Sequence, residues 1–242
     1  MEQRAKAAYE RRLASHGYCA EGVFWASAGN QQKRFAALAK AADMLLSGRQ
    51  GPFSLADIGC GYGALFSWLQ SQGLASRFGY YGVDLSPQMI AACKIRFPRH
   101  KALFSNGRLP PKNVSVAVLS GTFNLCLPES RHDTATSSRK HWFGRLLRRA
   151  DPAIMARSQA EAWQLYILDQ LAAIWPLCRH GMALNLLAAE RPVIRGGIFH
   201  TAPAQFASLL EARFGPVRHF PTPGVAGDFT LAISRHRLPG EH

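Results

Sequence analysis

Two rhythms of apolar residues alternate along this chain, one at helical spacing and one in short, nearly continuous runs. Residues 2–15 put Ala7, Ala8, Leu13 and Ala14 on a mild helical face that breaks at Gly17. Residues 30–47 place Phe35, Leu38, Ala42 and Leu45 at helical spacing and stop at Ser47-Gly48. From residue 53 the runs shorten. The pattern predicts strands at 53–58, 79–84, near 101–105, at 114–120 and at 181–187. Helices are predicted between them at 62–72, 87–97 and 154–175, the second entered through Ser86-Pro87 as N-cap and first-turn proline. A helix at 203–213 and strands at 217–220 and 229–234 follow, the strands separated by Pro221, Pro223, Gly224 and Gly227. Strands alternating with helices at this spacing predict a doubly wound α/β sheet. The run 114–120 is apolar enough to be buried on both faces, as parallel strands are.

The turn after the first strand carries the chemistry. Leu55-Ala56-Asp57-Ile58 leads into Gly59-Cys60-Gly61-Tyr62-Gly63, and a helical pattern starts at Ala64. Glycines there let the backbone turn sharply and come close to a ligand, with a helix N-terminus behind them. Gly59, Gly61 and Ala64 also satisfy a dinucleotide-binding pattern, with Asp84 at the distance where that pattern places a ribose acid. Asp57 separates the two readings. A carboxylate two residues before the first glycine repels a pyrophosphate and favours a ligand carrying positive charge.

The segment Asp57-x-Gly59-x-Gly61-x-Gly63, followed by Tyr80-Tyr81-Gly82-Val83-Asp84-Leu85-Ser86, resembles motif I and the second-strand acid of class I S-adenosylmethionine-dependent methyltransferases. The resemblance covers residues 53–125 and extends over 175–235. It implies a seven-stranded, mostly parallel sheet with an antiparallel C-terminal strand. Residues 1–50 would form an N-terminal helical lid, and 51–242 the methyltransferase domain.

Carried onto this sequence, the resemblance implies that Gly59, Cys60, Gly61 and Gly63 underlie the methionine part of S-adenosylmethionine. Asp57 lies near its ammonium, Asp84 takes both ribose hydroxyls, and Leu85 and Met89 flank adenine. Ser105-Asn106-Gly107 stands where the family often has a third-strand acid, so Asn106 is the expected substitute there. Ser120 and Gly121 would touch the cofactor's methionine end. Arg34 would grip its carboxylate, and Trp25 in the same leading segment would face the substrate. Phe123 would wall the transferred methyl, Asn124 would orient the acceptor, and His200 is favoured over His132 and His141 as a base. The chain lacks the Asn-Pro-Pro-Tyr type of motif associated with exocyclic amines. It also shows no cluster of acids after the fourth strand, so no metal is expected.

Residues 126–152 interrupt the α/β rhythm with a polar first half and the basic stretch 139–149. In a helix there, Trp142 and Leu146, and Phe143 and Leu147, pair four residues apart. This insert is expected to be a substrate lid, with Trp142 and Phe143 against the acceptor.

Composition adjusts this picture little. The chain has 242 residues, 48% hydrophobic and 18% charged, which is a globular composition. Five scattered cysteines without a Cys-x-x-Cys pair fit a reducing compartment, and the N-terminus lacks an apolar signal core, so a cytoplasmic setting is expected and no membrane association. The net charge of +14 raises nucleic acid as a partner, and the basic stretch 139–149 is where it would bind. The leading expectation is methyl transfer from S-adenosylmethionine to a small molecule. RNA or protein methylation through the basic stretch is an alternative, and a non-catalytic S-adenosylmethionine-binding protein is another.

Overall fold

The computed structural model describes residues 2–23, 27–127 and 152–236. Helices α1 (Glu2–His16) and α2 (Ala28–Leu45) precede the first strand, β1 (Phe53–Ile58). Then follow α3 (Ala64–Ser71), β2 (Phe78–Asp84), α4 (Pro87–Arg96), β3 (Phe104–Asn106) and β4 (Val114–Ser120). Beyond residues 128–151, α5 (Pro152–Ile174) leads into β5 (Cys178–Ala188). A short hairpin, β6 (Val193–Arg195) and β7 (Ile198–Thr201), precedes α6 (Pro203–Phe214), β8 (Val217–Pro221) and β9 (Asp228–Ser234).

The expected doubly wound sheet is present. β3, β2, β1, β4 and β5 lie side by side and parallel, β9 pairs antiparallel with β5, and β8 pairs antiparallel with β9. Side chains alternate across the two faces, so Ala117 and Leu119 join one core while Val116 and Val118 join the other. On the first face α5 supplies Ile167 and Leu171 and α6 supplies Phe206 and Leu210. On the second, α2, α3 and α4 supply Phe35, Leu38, Phe66, Leu69 and Ile90. Aromatic packing is dense there: Phe66 meets Tyr80, Phe97 and Phe104 at centroid distances of 4.8, 5.0 and 5.7 Å.

Two features differ from expectation. Among the described residues the sheet has nine strands, because β6 and β7 add a hairpin to the expected seven. Its two-residue loop, Gly196-Gly197, has φ of 56° and 80°, the double positive φ of a tight hairpin turn that matches strand twist. β9 occupies one edge of β5 through Leu187, so β7, pairing at Leu187 and Ala188, continues the edge that β4 vacates at Ser120. The hairpin also holds the loop after β4: the Cys126 N–H donates to Gly197 at 2.8 Å, and the Phe199 N–H to Asn124 at 2.8 Å.

The second difference concerns α2. It is one of the layer helices, since Phe35, Leu38, Ala42 and Leu45 bury their common face on the sheet beside Val118 and Ala183. Only its first turns reach the carboxyl edge of the strands, through Gln31 and Phe35.

Candidate active site at the carboxyl edge of the sheet

The N–H groups of Gly59 and Cys60 both donate to Val83, at 2.8 and 3.1 Å, which ties the turn after β1 to the end of β2. Gly59, Gly61 and Gly63 have φ of 76°, 55° and 78°, a region that costs other residues roughly 1–2 kcal/mol. Their surroundings differ. A Cβ on Gly59 would stand 2.7 Å from Thr122 Cγ2, and one on Gly63 would stand 2.7 Å from Phe97 Cε2. At Gly61 a Cβ would meet no protein atom within 4 Å, so this is where the loop leaves room for a ligand. Gly63 is the N-cap residue of α3, whose first N–H groups thereby face the same region.

Asp84 ends β2 with both carboxylate oxygens engaged on one side. Oδ2 accepts from the Gly61 N–H at 2.9 Å and Oδ1 from the Ser86 N–H at 2.8 Å. Each oxygen retains acceptor capacity. Asp57 is 1% exposed and accepts from Tyr80 Oη at 2.6 Å. Burial raises its pKa to about 7, against the opposing Tyr80 hydrogen bond and with the neighbouring Asp84 charge adding to the rise.

These groups line a cavity of about 240 Å³ that crosses the carboxyl edge of the sheet, the position where open α/β sheets bind ligands. One end holds Asp84, Leu85, Ser86, Met89 and Gly107, with Tyr9 of α1 over them. The glycine turn and Asp57 form the middle. Ser120, Gly121, Thr122, Phe123 and Leu125 lead to the far end, where α5 contributes Trp163, Tyr166 and Gln170. Burial raises the Tyr9 pKa, with the Asp84 charge as the second cause. Gln31 also lines the cavity and accepts from Tyr62 Oη at 3.5 Å, a long hydrogen bond.

The expected site residues therefore divide. Asp57, Gly59, Cys60, Gly61, Asp84, Leu85, Met89, Ser120, Gly121 and Phe123 converge on one cavity. Gly63 stands behind it as the helix start. Arg34 is not in the lining. Its guanidinium forms an ion pair with Asp228 at 2.5 Å, joining α2 to β9. Burial lowers the Arg34 pKa and raises that of Asp228, and each charge holds the other ionised. His200 is also outside the lining. It sits on β7 with Nδ1 3.1 Å from the Ile198 carbonyl oxygen, and burial lowers its pKa.

Asn124 shares the loop with Phe123 but is absent from the lining, and its backbone serves the hairpin. Asn106 donates from Nδ2 to the Asp84 carbonyl at 2.8 Å, so it braces the β2–β3 edge instead of facing the cavity. Trp25, Trp142 and Phe143 lie outside the described residues, as do the basic stretch 139–149 and nearly all of the expected lid. Among the described residues no group of three or more His, Cys, Asp or Glu is placed to hold a metal, and no helix is long and apolar enough to cross a membrane.

Trp163, Tyr166 and Gln170 were not expected here. Their spacing of three and four residues puts them on one face of α5, a signal present in the sequence but shared with any core-facing helix.

The buried carboxylate yields a stability test. With a folded-state pKa of about 7 against an ordinary 3.8, Asp57 favours the folded state while protonated, and that contribution is lost as pH rises from about 4 through 7. The difference is worth at most roughly 4 kcal/mol. Asp57→Asn, which keeps an acceptor for Tyr80, is expected to flatten this decline and to melt higher than the unmodified protein at pH 8. Thermal denaturation from pH 4.5 to 8 checks it; identical pH profiles would remove the raised pKa.

Known proteins resemble the chain in both sequence and fold. A family model described as a methyltransferase domain matches residues 56–140. A Mycobacterium tuberculosis protein, Rv1506c, provisionally named a methyltransferase, is 40% identical over 77 residues, which are 31% of this chain and 45% of that protein. The match thus spans less than half of that relative. Among solved structures, an S-adenosylmethionine-dependent methyltransferase of Leishmania major superposes with a TM-score of 0.56 at 11% identity, covering 96% of this chain and 82% of that one. Magnesium protoporphyrin IX methyltransferase of Synechocystis PCC 6803, solved with bound S-adenosylmethionine, gives 0.52 at 13% identity, covering 86% and 81%. The glycine turn between its two carboxylates and the strand order agree with these likenesses: residues 56–140 match a methyltransferase domain, and the chain has the fold of S-adenosylmethionine-dependent methyltransferases.

Proposed function

We propose that the protein transfers a methyl group from S-adenosylmethionine to a small-molecule acceptor by in-line displacement. The observation that carries this reading is one cavity with a glycine-floored half that holds two carboxylates and an aromatic half that holds no charged side chain among the described residues. The first half suits a cationic donor with a vicinal diol, and the second suits an organic acceptor.

The residues present fit the donor. Open space above Gly61 admits its methionine part, and Asp57 is a buried acceptor for an ammonium. Asp84 has two oxygens for two neighbouring hydroxyls, and Leu85 and Met89 offer apolar contact for a base. When bound, S-adenosylmethionine supplies an electrophilic methyl on a sulfonium. The chain then has to align the acceptor with that methyl and exclude water, and alignment alone is worth up to roughly 7–11 kcal/mol of barrier. Phe123 and Leu125, held by the β6–β7 hairpin, would keep water from the junction between the two halves. An ammonium beside Asp57 would drive its carboxyl to release its proton, so donor affinity is expected to rise between pH 6 and 8.

Calorimetry on the purified protein tests the reading. Saturable binding of S-adenosylhomocysteine with no response to NADH is the expected result. Saturable NADH binding with no response to S-adenosylhomocysteine would overturn it. A methyl-transfer screen against metabolite pools then identifies the acceptor.

A further inference from the structure

The aromatic end of the cavity has a defined geometry. Trp163 and Tyr166 stack with ring centroids 4.7 Å apart and planes inclined by only 24°. Phe123 meets Tyr166 edge to face at 6.5 Å and 87°. The Trp163 indole N–H donates to the Phe123 carbonyl at 3.0 Å, which locks the indole to the loop after β4. Trp163 is 3% exposed, and Tyr166 is only partly buried, so the tyrosine ring is the more accessible member of the stack. One turn further along α5, Gln170 lines the same space with an amide that can both donate and accept.

Charge is distributed along the cavity in one direction only. Among the described lining residues the charged ones are Asp57, Asp84 and Arg108, on or just after β1, β2 and β3. From Ser120 to the α5 wall none of the described lining residues is charged. Ring orientation then decides between two kinds of occupant. A cation is drawn to aromatic faces and binds best when several faces surround it. Here Trp163 and Tyr166 spend one face each on the other, and the two outer faces of such a stack point in opposite directions, so a single occupant can meet only one of them. That arrangement is poor for a cation. It suits a flat ring that extends the stack or meets its rim, at the ordinary centroid distances of about 4.5–7 Å.

We propose that the methyl acceptor is a neutral, planar aromatic or heteroaromatic compound, received by the Trp163–Tyr166 stack and oriented through a hydroxyl or ring nitrogen by Gln170. The inference rests on the methyltransferase reading and names the acceptor class within it. Tyr166 is the specificity-determining residue. Trp163 is a positioning residue, because its indole is held from the loop that carries Phe123 and in turn holds the Tyr166 ring.

The test uses three probes of stated chemistry on the full chain saturated with S-adenosylhomocysteine, read by saturation-transfer NMR and calorimetry. They are 2-naphthol, its saturated counterpart decahydro-2-naphthol, and tetramethylammonium. The expected result is that 2-naphthol binds at least tenfold more tightly than decahydro-2-naphthol, with no saturable binding of tetramethylammonium. Tyr166→Leu should reduce the planar-over-saturated ratio at least fivefold, whereas the conservative Tyr166→Phe should retain it. Saturable S-adenosylhomocysteine binding by each variant shows that its donor end is still formed, so a lost ratio is not a lost fold. Equal binding of the two naphthalene-type probes, stronger binding of tetramethylammonium, or a ratio unmoved by Tyr166→Leu would each overturn the acceptor class and leave the methyltransferase reading standing. Failure of the unmodified protein to bind S-adenosylhomocysteine would overturn that reading, and the acceptor class with it.

Discussion

Asp84→Ala is expected to lower the affinity for S-adenosylhomocysteine at least tenfold while the protein still folds. Two hydrogen bonds from ribose hydroxyls to a charged acceptor would be lost, each worth about 1.5–3 kcal/mol, and tenfold requires only about 1.4 kcal/mol. A second effect acts in the same direction. The carboxylate also accepts from the Gly61 and Ser86 N–H groups, so its removal frees the glycine turn and the start of α4 that it holds together. Asp84→Asn separates the two contributions. It retains one oxygen acceptor and should fall between the unmodified protein and alanine. Calorimetry, with a thermal melt of each variant to confirm folding, measures both. Unchanged affinity in a folded Asp84→Ala protein would remove Asp84 from the donor site.

Gly59→Ala is expected to destabilise the protein by about 2–5 kcal/mol. Positive φ costs an alanine roughly 1–2 kcal/mol, and forcing a methyl into a packed site costs typically ~1–3 kcal/mol. The clash falls on Thr122, which cannot swing aside without loss because its Oγ1 donates to the Ile58 carbonyl at 2.7 Å. For a chain of this length the melting temperature should fall by about 5–15 °C. Adding Thr122→Ala removes the atoms nearest the new methyl, so the double variant should be more stable than additivity of the two single changes allows. Strict additivity would show that Gly59 and Thr122 do not press on one another. This contact joins the turn after β1 to the loop after β4, so the same substitution should also weaken S-adenosylhomocysteine binding.

How much of this was legible beforehand varies by element. β1 and β4 coincide with the predicted 53–58 and 114–120 because each is a short apolar run bounded by turn residues, and nothing distant decides where it ends. The start of α4 was likewise local: Ser86 accepts from the Met89 N–H, and Pro87 follows it in the first turn. β3 is shorter than the pattern suggested, because a 3-10 segment over Pro98–Leu103 takes up the residues before it.

Arg34, His200 and the β6–β7 hairpin were legible only in three dimensions. The partner of Arg34 is Asp228, far along the chain on the last strand, and no spacing rule relates the two. A basic residue on a leading helix suggests a grip on an anionic ligand, but a buried carboxylate of the protein itself pairs with it. The hairpin has strands of three and four residues, too short for a period to show, and its pairing partners are Leu125, Leu187 and Ala188 from other parts of the fold. That pairing carries His200 away from the cavity.

By itself the sequence determined the alternation of strands and helices, the glycine turn between Asp57 and Asp84, and through them the fold and the glycine-floored half of the cavity. Those features are written in adjacent residues, since turn geometry, strand burial and helix capping act over a few positions. Only the tertiary structure decided which side chains form the aromatic end of the cavity, that Arg34 is already paired, and why Gly59 admits no side chain. Each of these depends on atoms brought together from distant segments, Trp163 with Phe123, Arg34 with Asp228 and Gly59 with Thr122. Close packing of distant segments, and the pairing of charges buried with them, has no local signature.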